Sequence, residues 1–186
     1  MYSNEEVLWK ELSNSQKKLD PEWLRNSYSL DLSIDLRKAI AEKLGLLAEA
    51  GWPHLRLIIN KYGAQVELIN AAGISHQAEA KEWLLKLLEK NKELDLAILK
   101  ALSCWGSSLP IALLKRILNE PSQLKRLAGL DLLKFKAHQL SDEELLSLTK
   151  TSLNDFRDSI VISTIKILQR RNSLEVCNKI AKVAEK

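Results

Sequence analysis

Apolar residues recur along this chain at steps of three and four, while strict apolar–polar alternation is almost absent. That is the pattern of amphipathic helices rather than of half-buried strands. In DLRKAIAEKLGLLAEAG (35–51), Leu36, Ile40, Leu44 and Leu47 share one face. Ser33 or Asp35 suits its start as a cap, and Gly51 suits its end, where a left-handed residue is needed. WPHLRLIINKYG (52–63) follows at once, with Pro53 in the first turn, a stripe of Leu55, Ile58 and Ile59, and Gly63 to close it.

The helix–turn–helix unit then repeats. Residues 64–73 and 76–90 form the next pair, joined at Gly73–Ser75. Residues 92–104 and 109–120 form a third, with Ser107 and Ser108 in the turn and Pro110 in the first turn of its second helix. Residues 122–136 and 141–150 form a fourth, and Ser141-Asp142-Glu143-Glu144 reads as a capping box. Residues 155–171 and 173–185 form the last, opened by Asn154 or Asp155 and by Ser173. Ala71 and Ala101 hold matching places in successive first helices; Leu84-Leu85, Leu113-Leu114 and Leu145-Leu146 do so in second helices. The interval is about 30 residues, within the range of repeat architectures. One hairpin of this length cannot bury its own apolar stripe, so neighbours must shelter it. The expected fold is all-α: an α-α superhelix of about five helical hairpins in a single domain, 1–186.

Residues 1–30 depart from the repeat. Asn4 to Leu12 reads as a short helix carrying Val7, Leu8 and Leu12, and Asp20-Pro21 starts another. Trp9, Trp23 and Tyr28 enrich the stretch in aromatics, which suits an end cap over the first repeat or a docking segment for a partner.

Two segments resemble HEAT repeats, of the armadillo-like class, found in phycobilin lyases and their chaperone-like relatives. One is 31 and 35–51, where an acidic residue, Arg37, Ala39, Ala41, Leu44 and Gly45 echo the first-helix pattern; the other is DFRDSIVISTIKILQRR (155–171), with Asp155 and Arg157 in the same relation. The segment 51–85 is similar to cyanobacterial HEAT-like proteins. The resemblance implies a solenoid in which the aspartate caps its helix and the arginine supports the neighbour, as a ladder of ion pairs. It implies bilin attachment or phycobiliprotein maturation as one possible role. The middle repeats depart from it, since Lys125-Arg126 lacks a preceding aspartate and the third opens on Leu94-Asp95-Leu96.

Composition narrows the chemistry. Only 6 Gly and 4 Pro among 186 residues favour helices with short connections. The first residues are charged, without the apolar core of a signal peptide, and no apolar run approaches a membrane span, so the expected location is cytoplasmic, without membrane insertion. Cys104 and Cys177 are far apart and lie in apolar helical patterns, which suits two small buried hydrophobes rather than a disulfide or zinc site. His54, His76 and His138 lie in different hairpins, and no metal motif, phosphate loop or nucleophile elbow is present. No cofactor or catalytic residue is expected, and no metal ligand.

Two patches carry what functional signal there is. Trp52, Trp83 and Trp105 lie near turns or in second helices, close to His54 and His76. Second helices line the concave face of a HEAT stack, so these residues could form a shelf for a flat ligand or an apolar helix, or simply pack in the core. Residues 1–93 carry 13 basic and 14 acidic side chains, and 94–186 carry 15 and 10. In that basic half Lys115, Arg116, Lys125, Arg126, Lys134, Lys136, Arg170 and Arg171 would suit phosphates if the repeats align them, and otherwise form a solvated face. The preferred expectation is a non-enzymatic scaffold or chaperone-like module that binds another protein through its concave face. A bilin or phycobiliprotein partner comes second, and nucleic acid last.

Overall fold

The computed structural model describes residues 4–14 and 19–184, and every regular element among them is helical. The elements are α1 (Asn4–Ser13), α2 (Pro21–Ser27), α3 (Ile34–Leu46), α4 (Trp52–Tyr62), α5 (Val66–Ser75), α6 (Ala78–Lys90), α7 (Asp95–Leu102), α8 (Ile111–Leu118), α9 (Gln123–Lys136), α10 (Asp142–Leu153), α11 (Asp158–Leu168) and α12 (Leu174–Ala184). None of these helices is long and apolar enough to cross a membrane. The chain forms two compact units, Met1–Cys104 and Trp105–Lys186. Their boundary falls inside the third expected hairpin, so α7 belongs to the first unit and α8 to the second.

In the first unit α3, α5 and α7 lie side by side, with α4 against α3 and α5, and α6 against α5 and α7. Small residues let the first helices approach. A Cβ on Gly45 would stand 2.7 Å from the Ala71 carbonyl oxygen, and one on Gly73 would stand 2.9 Å from that of Ala101. Gly73 is therefore a helix–helix contact inside α5, not the turn the sequence suggests; the turn comes at His76, whose φ of 53° is left-handed. Leu36, Ile40, Leu44, Leu55, Leu68, Ile69 and Leu84 are buried between the layers.

The end of α3 corrects a second expectation. The left-handed residue is Ala48 (φ 49°), whereas Gly51 has ordinary right-handed backbone (φ −86°). Glycine is required at 51 for space, because a Cβ there would lie 1.8 Å from the Leu44 carbonyl oxygen.

Upstream, Asp20 accepts hydrogen bonds from the Glu22 and Trp23 amides and so starts α2, which packs on α3 and α4. Tyr28 follows α2 and is buried; its hydroxyl donates to Glu67 Oε1 on α5 at 2.8 Å. Arg37 Nε on α3 faces the same carboxylate oxygen at 3.4 Å. Burial first, then the bond to Glu67, pushes the tyrosine pKa well above its ordinary 10.0, so the hydroxyl stays a donor. Tyr28→Phe is expected to cost about 1.5 kcal/mol, the value of a hydrogen bond to a charged group. The measurement is a lowered urea midpoint with an unchanged slope; an unmoved midpoint would mean that the bond adds nothing.

In the second unit α8 packs on α9 and α10, α9 on α11, and α12 on α10 and α11. Buried Leu114 and Leu145 repeat on α8 and α10 the place that Leu84 holds on α6. The Ser141–Glu144 capping box forms as expected, and Ser122 caps α9. The last first-helix begins at Asp158, three residues later than the sequence suggests, because Asp155 accepts from the Arg157 amide and guanidinium instead of capping a helix. Both cysteines are exposed, contrary to expectation: Cys104 lies in the 3-10 stretch Ser103–Ser108 beyond α7, and Cys177 on the outer side of α12. The apolar stripe of α12 turns Val176 inward and leaves Cys177, one residue on, facing out. Residue 185, expected to end α12, lies outside the described residues.

Candidate functional site: a tryptophan groove on the second helices of the first unit

Between α4 and α6 runs a groove of about 500 Å³, lined by Trp52, Arg56, Ile59, Asn60, Glu79, Glu82, Trp83 and Lys86. Helical spacing sets the lining. Trp52, Arg56, Ile59 and Asn60 fall at i, i+4, i+7 and i+8 on α4, and Glu79, Trp83 and Lys86 at i, i+4 and i+7 on α6. The two indole rings lie with centroids 6.4 Å apart and planes inclined by 54°, within the range of attractive tilted aromatic pairs.

The groove has a polar anchor. Trp52 Nε1 donates to Glu79 Oε2 at 3.1 Å, and Arg56 donates a guanidinium N–H to the same oxygen at 2.7 Å. Trp52 is 5% exposed, so its ring is a wall fixed by packing and by that bond, while Trp83 is half-buried and offers part of its surface to the groove. Arg56 and Glu79 are solvent-exposed, so their pairing orients the rim more than it stabilises the fold.

Of the aromatic and histidine candidates in the sequence, the structure brings Trp52 and Trp83 together in this groove. His54 lies on another side of α4, half-buried, with Nδ1 buried and without a hydrogen-bond partner. His76 is exposed in the α5–α6 turn, and Trp105 is half-buried at the kink within Ser103–Ser108, where the second unit begins; neither lines this groove. Arg56 and Glu79 carry little signal in the sequence as lone surface charges, although their spacing from Trp52 and Trp83 places them on the same faces.

The basic set divides. Lys115 and Arg116 are exposed on α8, and Lys125 is half-buried on α9. Arg126 is not a surface residue: it is 7% exposed and pairs with Asp155, whose side chain is 2% exposed. Arg171 is turned inward too, donating to the carbonyls of Ala137 and Leu140 and lying 3.3 Å from Asp142. A carboxylate or turn carbonyls next to these arginines draw them in, which spacing along the sequence does not reveal. Arg170 remains exposed and lines a different groove, on α9 and α11. Among the described residues no group of three or more His, Cys, Asp or Glu could hold a metal ion.

No family model matches this chain, and no curated protein matches it. What the groove can do therefore rests on its own chemistry. Two indoles beside an ion pair offer apolar area with fixed polar partners at the edge.

Proposed function

We propose that the chain is a short HEAT-like solenoid and acts as a non-enzymatic binding module, with the α4–α6 groove receiving a segment of another protein. The observation that carries this reading is the half-buried Trp83 ring beside a wall, Trp52, locked by Glu79. Rigid aromatic surface binds at low entropic cost, and aromatic residues dominate the energetics of protein interfaces. The successive close approaches of Gly45 to Ala71 and Gly73 to Ala101 support a repeat stack as the frame for it.

The test is selection of displayed peptides against the full chain, followed by tryptophan fluorescence titration of those recovered. Trp83→Ala is expected to weaken binding by about tenfold or more, since loss of an interfacial tryptophan costs about 2 kcal/mol, with an unchanged far-UV circular dichroism spectrum. Enriched peptides that bind the variant equally well would remove the groove from the proposal. A shift in the visible spectrum of a free bilin, in place of peptide binding, would favour bilin handling instead.

A further inference from the structure

The second unit sorts its cations. Arg126 and Arg157 are held by Asp155, Arg171 by two carbonyls and Asp142, and Lys136 by the Ser107 carbonyl. Lys134, Lys166 and Arg170 stay exposed, and among the described residues none of the three side chains has an ion pair or hydrogen bond. All three line one groove of about 450 Å³ on α9 and α11, with Ser163 beside them, Leu130 and Ile167 as its buried floor, and Asp131 as the only acid among the described residues that line it.

The positions follow from helix geometry. Ser163, Lys166, Ile167 and Arg170 recur at i, i+3, i+4 and i+7 along α11 and its end, and Leu130 and Lys134 at i and i+4 along α9. Basic residues near helix C-termini complement the macrodipole, and that accounts for the presence of charge. It does not account for three unpaired cations and a hydroxyl meeting over one depression.

We propose that this groove is a binding site for a compact phosphate-bearing anion of the diphosphate type, separate from the tryptophan groove and independent of the reading given to it. Two flexible ammonium groups and one guanidinium supply charge-assisted donors, Ser163 adds a neutral one, and the apolar floor accommodates an organic flank. A long nucleic-acid backbone is the weaker fit. It needs cations spread along a track, and here Arg126 and Arg171, which would extend the track, are spent internally.

Titration calorimetry with inorganic pyrophosphate at low ionic strength is the direct test, on the full chain. Saturable one-to-one binding is expected, weakening with added salt. Lys166→Gln and Arg170→Gln are each expected to weaken it about tenfold, the loss of one charge-assisted hydrogen bond. Asp131→Asn should tighten it by removing the opposing charge, an effect that a purely structural role for the cluster would not produce. Lys115→Gln, on α8 and outside the groove, should leave it unchanged. Parallel arms with orthophosphate, a nucleoside diphosphate and a single-stranded oligonucleotide separate the sources: pyrophosphate and the nucleoside diphosphate should bind alike, orthophosphate more weakly. No saturable binding, equal loss in Lys115→Gln, or tighter binding of the oligonucleotide with no effect of Arg170→Gln would each overturn the proposal.

Discussion

Gly51→Ala is expected to destabilise the first unit by about 3 kcal/mol, the upper end for forcing one added methyl into filled space. The added Cβ would lie 1.8 Å from the Leu44 carbonyl oxygen, 2.8 Å from its carbon and 3.1 Å from Leu47 Cβ. Backbone is the obstacle, so no side-chain rotation relieves it. The connection is also bound tightly: Ala48 N–H donates to the Gly45 carbonyl, and the Gly51 and Trp52 amides both donate to the Ala48 carbonyl. Moving 51 away from Leu44 therefore drags the start of α4 and, with it, Trp52.

Ala48→Gly is the matching control. Alanine at φ 49° carries the left-handed penalty of about 1 kcal/mol, and glycine would relieve it while adding a similar entropic cost to folding. The expected change is within about 1 kcal/mol. Urea denaturation followed by far-UV circular dichroism separates the two. If Gly51→Ala is as mild as Ala48→Gly, the close approach to Leu44 is not a feature of the native turn.

The second large effect is expected at Asp155. This carboxylate, nearly inaccessible, pairs with Arg126 from α9 and accepts from the Arg157 side chain at 2.8 and 3.0 Å and from its amide at 3.0 Å. Arg157 also reaches the Pro121 carbonyl ahead of α9 at 3.3 Å. One acid thus ties the starts of two neighbouring first helices. Removing it strands Arg126, whose Nε and Nη2 are already buried without hydrogen-bond partners. Asp155→Ala is expected to cost about 3 kcal/mol, as when one member of a buried pair is deleted. The double variant Asp155→Leu with Arg126→Met should cost clearly less than Asp155→Ala, because the more deeply buried arginine no longer sits there without its carboxylate, and only Arg157, nearer solvent, loses its partner. Equal losses would show that the pair acts by shape alone.

The same site sets an acid limit. Hydrogen bonds from the Arg157 side chain, foremost, and the charges of Arg157 and Arg126 hold the Asp155 carboxyl at about 2, below its ordinary 3.8. The folded state therefore binds this proton less readily than the unfolded chain. Its contribution is whole above pH 3.8 and drains as the pH falls through the interval down to about 2. Stability measured against pH should show that limb in the native chain, and Asp155→Asn should flatten it.

These two sites also mark how far residue patterns reach. The helices follow from periodicity: the stripe of α3, Pro53 at the head of α4, Gly63 at its end and the Ser141–Glu144 box all stand where local rules place them. Ala71 and Ala101 were visible as matched positions, yet only packing reveals their partners, Gly45 and Gly73. The tryptophan groove was legible in half, since Trp52 and Trp83 announce themselves by size, while Arg56 and Glu79 matter only once α4 and α6 lie together.

What the chain decides alone is helix against strand, several of the caps, and the main apolar stripe of the helices, because those depend on neighbours three or four residues away. Which glycines let neighbouring helices approach, which arginines are buried and which cations meet over a groove depend on groups some 30 residues distant, whereas the Ala48–Gly51 turn is settled within one connection. Charge pairing and close backbone approach act through space. They become definite only when the first helices are side by side.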